Sequence, residues 1–119
     1  MPEARSLRVL AVDDDRLVLF NTTAMLEDMG HVVVEAGSGE EALAALHKQS
    51  FDLVITDQAM PRMTGVELIQ AMEQEWPQLP VILATGYAEL PQGAQVNTPL
   101  LNKPFTEADL AAILKVVAP

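Results

Sequence analysis

The sequence contains no cysteine, which excludes a disulfide framework, a thiolate nucleophile and zinc-thiolate sites, and which suits a reducing, cytoplasmic setting. Basic residues are scarce as well. Seven Lys and Arg stand against 17 Asp and Glu, a formal charge of −10. No basic cluster offsets that charge, so a phosphate backbone is repelled and direct nucleic-acid binding is not expected. Long apolar runs are missing too. The hydrophobic stretches are short and broken by charges, and Met1-Pro2-Glu3-Ala4-Arg5 lacks the apolar core of a signal peptide, so neither a membrane span nor secretion is indicated. Histidine occurs only twice. Both His31 and His47 read as surface residues rather than metal ligands.

What is present is a chain of 119 residues, half of them apolar, long enough for one domain with a true core and too short for two. Residues 1–119 are therefore read as one domain. Its surplus of carboxylates makes a solvated surface, and also suits a protein that gathers a divalent cation.

The organising stretch is Leu53-Val54-Ile55-Thr56-Asp57-Gln58-Ala59-Met60-Pro61-Arg62-Met63-Thr64-Gly65. A short apolar run delivers one aspartate into a turn bounded by proline and glycine, as a buried strand does when it presents a carboxylate at its C-terminal end. The same rhythm runs through the chain. Leu7 to Val12 reads as a first strand, stopped by Asp13-Asp14-Asp15; a helix over Arg16 to Met29 follows, with Asp15 as N-cap, Gly30 as C′ residue and an inward stripe of Leu17, Phe20, Ala24 and Met25 or Leu26. Val32 to Ala36 is the second strand. Ser38-Gly39-Glu40-Glu41 reads as a capping box opening a helix with Ala42, Leu43, Ala45 and Leu46 inward.

Phe51 to Thr56 is the third strand. Thr64-Gly65-Val66-Glu67 is a further capping box, leading through Leu68, Ile69 and Met72 to a stop at Trp76-Pro77. Trp76 and the methionines are packing residues. Pro80 to Ala84 is the fourth strand, ending at Thr85-Gly86. Pro91 and Gly93 then limit the next helix to a turn or two. Thr98 to Leu101 is a weak fifth strand, and Thr106-Glu107-Ala108-Asp109 caps a last helix carrying Leu110, Ile113, Leu114 and Val117. Strands alternating with helices predict an α/β fold, a parallel sheet covered on both faces.

In such a sheet the residues that follow each strand share one edge, the edge where ligands bind. Asp13 and Asp14 follow the first strand, Asp57 the third, Thr85 the fourth and Lys103 the fifth. Three carboxylates held together repel, and either raise a pKa or bind a metal. Mg²⁺ fits best, because it takes few carboxylates, keeps water and is completed by a phosphate oxygen. Lys103 and Thr85 then suit the remaining oxygens of a phosphoryl group carried by Asp57 as an aspartyl phosphate.

Val12-Asp13-Asp14-Asp15, Thr56-Asp57 through Gly65, Ala84-Thr85-Gly86 and Asn102-Lys103-Pro104-Phe105 together resemble the receiver domain of two-component response regulators over essentially the whole chain. The resemblance implies a flavodoxin-like sheet of order 2-1-3-4-5, with Asp57 phosphorylated by a histidine kinase or histidine phosphotransfer protein. It implies that Asp14 and Asp57 bind Mg²⁺ directly, that Asp13 acts through water, and that the Ala59 carbonyl is a backbone ligand. Lys103 would contact the phosphoryl group, the Lys103-Pro104 bond would be cis, and Thr85 would be the switch hydroxyl. Ala59 and Tyr87 would tune dephosphorylation. Such a receiver catalyses only its own phosphorylation and dephosphorylation, either as a single domain or beside a kinase or output domain in a longer parent chain. The Ala84-Thr85-Gly86-Tyr87-Ala88-Glu89 string and the altered fourth helix resemble receivers of hybrid kinases.

One departure stands out. The family's switch aromatic lies three positions before the lysine, where this chain has Leu100. That keeps open a second reading, a protein-binding adaptor whose output does not depend on phosphorylation. A Mg²⁺-dependent hydrolase would need an acid-base residue near Asp57, and none is evident. Flavin binding lacks a phosphate-cradling loop after the first strand.

Overall fold

Short runs rich in leucine and β-branched residues form the strands of a parallel sheet, in a computed structural model that describes residues 6–86 and 98–118. The elements in chain order are β1 (Arg8–Val12), α1 (Arg16–Asp28), β2 (Val32–Ala36), α2 (Gly39–Lys48), β3 (Leu53–Asp57), α3 (Gly65–Glu75), β4 (Val81–Thr85), β5 (Leu100–Asn102) and α4 (Glu107–Val117). The strand order is β2-β1-β3-β4-β5 with every pair parallel, as the resemblance implies. The chain runs from β1 outward to β2 and then returns to the other side of β1. The C-terminal ends of β1 and β3 therefore flank the switch point at which open α/β sheets bind ligands.

Alternation along the strands divides the core in two. Val9, Leu53, Ile55, Ile82 and Leu101 pack with Leu26, Leu110 and Leu114 under α1 and α4. Leu10, Val12 and Val54 pack with Ala42, Leu46, Leu68 and Met72 under α2 and α3. Helices thus cover both faces, as a parallel sheet requires. Trp76 packs against the second of these clusters, and Met60 and Met72 are buried.

The caps read from sequence are present with one amendment. Asp15 accepts from the Leu17 and Val18 amides. Gly30 (φ 94) ends α1, its N–H donating to the Glu27 carbonyl while His31 donates to Leu26, the paired bonds of a Schellman stop that needs a left-handed residue. The Thr64 and Thr106 boxes are closed on both sides. At Ser38 only half of the box forms. Its hydroxyl accepts from Glu41 N–H, but the Glu41 carboxylate reaches one residue further back to Gly37 N–H.

The inward face of α1 is different from the expected stripe. Leu17 and Phe20 are 70% and 65% exposed, Ala24 is exposed, and the buried face is Leu19, Thr22 and Leu26. The helix carries two apolar sets, and docking of Leu26 onto Val9 and Leu53 selects the second. Strand limits shift by a residue or two. Asp57 belongs to β3 itself, because Gln58 N–H still pairs with the Ala84 carbonyl. β5 starts at Leu100 rather than Thr98, since Pro99 has no N–H to give to the ladder. The helix expected after Gly86, and Tyr87, lie outside the described residues. No described helix is long and apolar enough to cross a membrane.

Candidate functional site

Each polar side chain of interest arrives at or just past the C-terminal end of a strand. Asp13 follows β1, and its N–H continues the ladder to Ala36 O (3.1 Å). Its carboxylate then accepts from Asp15 N–H (2.9 Å), which turns the chain into α1 and leaves Asp14 exposed at the rim. β3 is buried throughout its length and carries Asp57 to the crevice at 4% exposure. Carboxylate oxygens of Asp13, Asp14 and Asp57 lie within 4.8 Å of one another.

Lys103 enters from the far side. Its N–H pairs with Thr85 O at 2.9 Å, which extends the β4–β5 ladder, and its ammonium donates to Asp57 Oδ1 at 2.5 Å. The following Lys103-Pro104 bond is cis. Thr85 is buried at the end of β4, one residue past Ala84, the partner of Asp57 across the sheet. Its hydroxyl donates to Gly86 O at 3.3 Å. Ala59 lies exposed in the loop two residues beyond Asp57.

Burial pushes the Asp13 carboxyl up to about 6, and the Asp57 and Asp14 charges push the same way, against the Asp15 N–H and Lys103. A carboxylate held near like charges in a poorly hydrated crevice is short of positive charge. The donor set is hard oxygen on a rigid edge, and a small divalent cation fits it.

The response regulator receiver domain model matches residues 9–115. The chain belongs to that family. Among its relatives, the receiver resembles the CAI-1 autoinducer sensor kinase/phosphatase CqsS of Vibrio cholerae, 36% identical over 115 residues that cover 93% of this chain and 17% of CqsS. Response regulator protein FleR of Pseudomonas aeruginosa is 35% identical, over 93% of this chain and 24% of FleR. The chain spans less than a quarter of the length of the curated relatives it matches. Among solved structures, the chemotaxis response regulator CheY4 of Vibrio cholerae superposes with a TM-score of 0.84 at 32% identity, covering 94% of this chain and 98% of CheY4. The receiver family is a signalling module of two-component systems rather than a conventional enzyme, and receivers carry Mg²⁺ at an acidic pocket.

Two further residues of the receiver bear on the site. Gln58 is 3% exposed, although its place in a turn gave it no role on sequence grounds. A buried glutamine beside the buried Asp57 is unusual enough to mark it. Gly65 packs so closely that a Cβ would collide with the Asp57 carbonyl oxygen and Leu83, a demand that Thr-Gly at a helix start does not reveal. His31 and His47 sit elsewhere. The Nδ1 of His31 accepts from Leu7 N–H (3.0 Å), and His47 bonds Glu75 (3.0 Å); both lie at the opposite edge of the sheet.

Proposed function

We propose that this receiver accepts a phosphoryl group on Asp57 from a histidine kinase or histidine phosphotransfer protein in a Mg²⁺-dependent reaction, and passes on the signal by conformational change or onward transfer. The observation that carries the reading is the convergence of Asp13, Asp14 and Asp57 within 4.8 Å, with Lys103 on the Asp57 carboxylate. An Asp57 oxygen attacks the phosphorus of the donor phosphohistidine. A P–O bond forms as the P–N bond breaks, and imidazole leaves with the electron pair. Later attack by water on the same phosphorus releases phosphate and restores the carboxylate.

Asp14 and Asp57 would hold Mg²⁺ directly, with Asp13 through water and the Ala59 carbonyl as backbone ligand. When bound, the ion offsets charge on the phosphoryl oxygens. Lys103, already on Asp57, is placed to follow the charge onto the phosphoryl oxygens. Thr85 turns its hydroxyl from Gly86 O to the phosphoryl group and so reports its presence. In both phosphorylation and hydrolysis the receiver acts only on itself, in the cytoplasm, within a longer parent chain or alone.

Leu100, 42% exposed on the edge strand, favours a second reading, a protein-binding adaptor indifferent to phosphorylation, because no buried ring stands at the switch position. Intact-protein mass after incubation with Mg²⁺ and acetyl phosphate separates the two. The phosphoacceptor reading expects one added phosphoryl group on the wild type and none on Asp57→Asn; equal uptake by both proteins refutes the assignment of Asp57.

A further inference from the structure

We infer that Gln58 is a positioning residue for the metal-binding loop, its buried amide tying the start of α3 to the phosphoacceptor strand and so fixing where the Ala59 carbonyl stands. The inference rests on the reading of Ala59 as a backbone ligand. A helix begins with four N–H groups that have no partner within it. In α3 all four are taken, and Gln58 takes two of them. Thr64 N–H donates to Glu67 Oε1 and Glu67 N–H to the Thr64 hydroxyl, which closes the capping box. Gly65 N–H donates to the Gln58 main-chain carbonyl (3.1 Å) and Val66 N–H to the Gln58 side-chain Oε1 (2.9 Å).

The same residue is fixed from its other side. Gln58 N–H donates to Ala84 O on β4, and its carbonyl also accepts from Met60 N–H. Residues 58–66 therefore leave Asp57 and return to it, and Gly65 closes the return by lying against the Asp57 carbonyl where no Cβ fits. Within that circuit Arg62 holds a φ of 67°, a conformation that a non-glycine residue keeps only when its surroundings impose it. Met63 wedges the outer end of the loop against Gly39 of α2, where a Cβ would overlap its side chain. Ala59 is the first residue out of the anchored pair, so its main chain inherits their position.

An apolar side chain at 58 would fill the same volume but leave the Val66 N–H without its acceptor. The start of α3 would then move, and the Ala59 carbonyl with it. Gln58→Met should weaken Mg²⁺ binding by about tenfold, the low end of what supporting partners of metal ligands are worth. The control is Leu114→Ala, which opens the core on the opposite face and lowers stability without touching the loop. Isothermal titration of both variants with Mg²⁺ beside thermal melts should show weakened binding in Gln58→Met alone. Unchanged Mg²⁺ affinity in Gln58→Met, or an equal loss in Leu114→Ala, overturns the inference.

A second measurement needs no variant. Because coupling is reciprocal, saturating Mg²⁺ should slow hydrogen exchange of the Gly65 and Val66 amides in the wild type. Unchanged exchange at saturation contradicts the role of Gln58. A wild-type protein that fails to bind Mg²⁺ refutes instead the metal site on which the inference rests.

Discussion

The two edges of the sheet use the same kinds of side chain to opposite ends. At the N-terminal edge polar groups meet in complementary pairs. Asp52 accepts from Arg8 N–H at 2.8 Å, His31 accepts from Leu7 N–H, and the two ring nitrogens of His47 face the Leu43 carbonyl and the Glu75 carboxylate at 2.9 and 3.0 Å. At the C-terminal edge three carboxylates are drawn together around one lysine. The first arrangement is settled within the chain. The second, under the proposed function, would be settled by a cation and a phosphoryl group from outside. An open cleft of about 730 Å³ lies at the N-terminal edge, lined by residues including His47, Phe51, Trp76 and Pro80, yet it contains none of the acidic cluster. Placement of charge, not the size of a cavity, distinguishes the working edge.

The comparison breaks most visibly at Lys103. Lys103→Met removes the ammonium from Asp57 and should slow phosphoryl uptake by about 100-fold, in line with the loss of one preorganised donor to a transition state. Glu75→Gln, at the other edge, should leave uptake unchanged. Initial rates by intact mass test both, and equal slowing would erase the distinction between the edges.

A smaller effect is expected at Asp13, and it should be opposite for stability and function. The folded protein holds this carboxyl near 6 rather than 3.8, so ionising it costs stability as pH rises from about 4, and the cost is complete above about 6. Asp13→Asn keeps an oxygen for the Asp15 amide and removes the charge. It should stabilise the metal-free protein at pH 7 by about 1 kcal/mol once solvent screening is allowed for, flatten that pH slope, and weaken Mg²⁺ binding. Denaturant unfolding across this range tests the first two effects. A less stable Asp13→Asn protein would contradict the electrostatic account.

The smallest effects belong to the histidines, and they oppose each other in sign. Glu75, then the Leu43 carbonyl, raise the His47 pKa above 6.5, so its contribution is complete below 6.5 and fades as pH rises through the raised value. Burial lowers the His31 pKa, and protonation would displace the Leu7 amide. Its contribution is complete above 6.5 and is lost as pH falls through the lowered value. Titration of the ring protons by NMR should place the two on either side of 6.5, and Glu75→Gln should bring His47 back toward it. Coincident titration of the two rings would show that neither bond persists in solution.

Much of this was legible from sequence, for reasons that particular residues make plain. The runs at Val9 to Val12 and Leu53 to Ile55 are apolar on both faces, as only a strand between helix layers needs to be. Asp15, Thr64 and Thr106 announced their helices because cap chemistry is local. The clustering was legible for a topological reason: Asp13, Asp57, Thr85 and Lys103 each stand at or just past the end of a strand, and parallel topology brings those ends together. What sequence concealed is decided at long range. The choice between Leu17 with Phe20 and Leu19 with Leu26 on α1 is made by the sheet beneath. His47 meets Glu75 from 28 residues away, beyond any helical spacing. Gln58 looked like a turn residue because its partner, the Val66 amide, becomes its neighbour only when the loop closes.

The central claim is that Asp57, alone among the clustered carboxylates, is the phosphoacceptor. The most direct measurement is to phosphorylate the wild type with acetyl phosphate and Mg²⁺, reduce the acyl phosphate with borohydride, and locate the resulting homoserine by peptide mass spectrometry. The account predicts homoserine at position 57, with Asp13 and Asp14 intact. Homoserine at position 13 or 14 with Asp57 unmodified would contradict it.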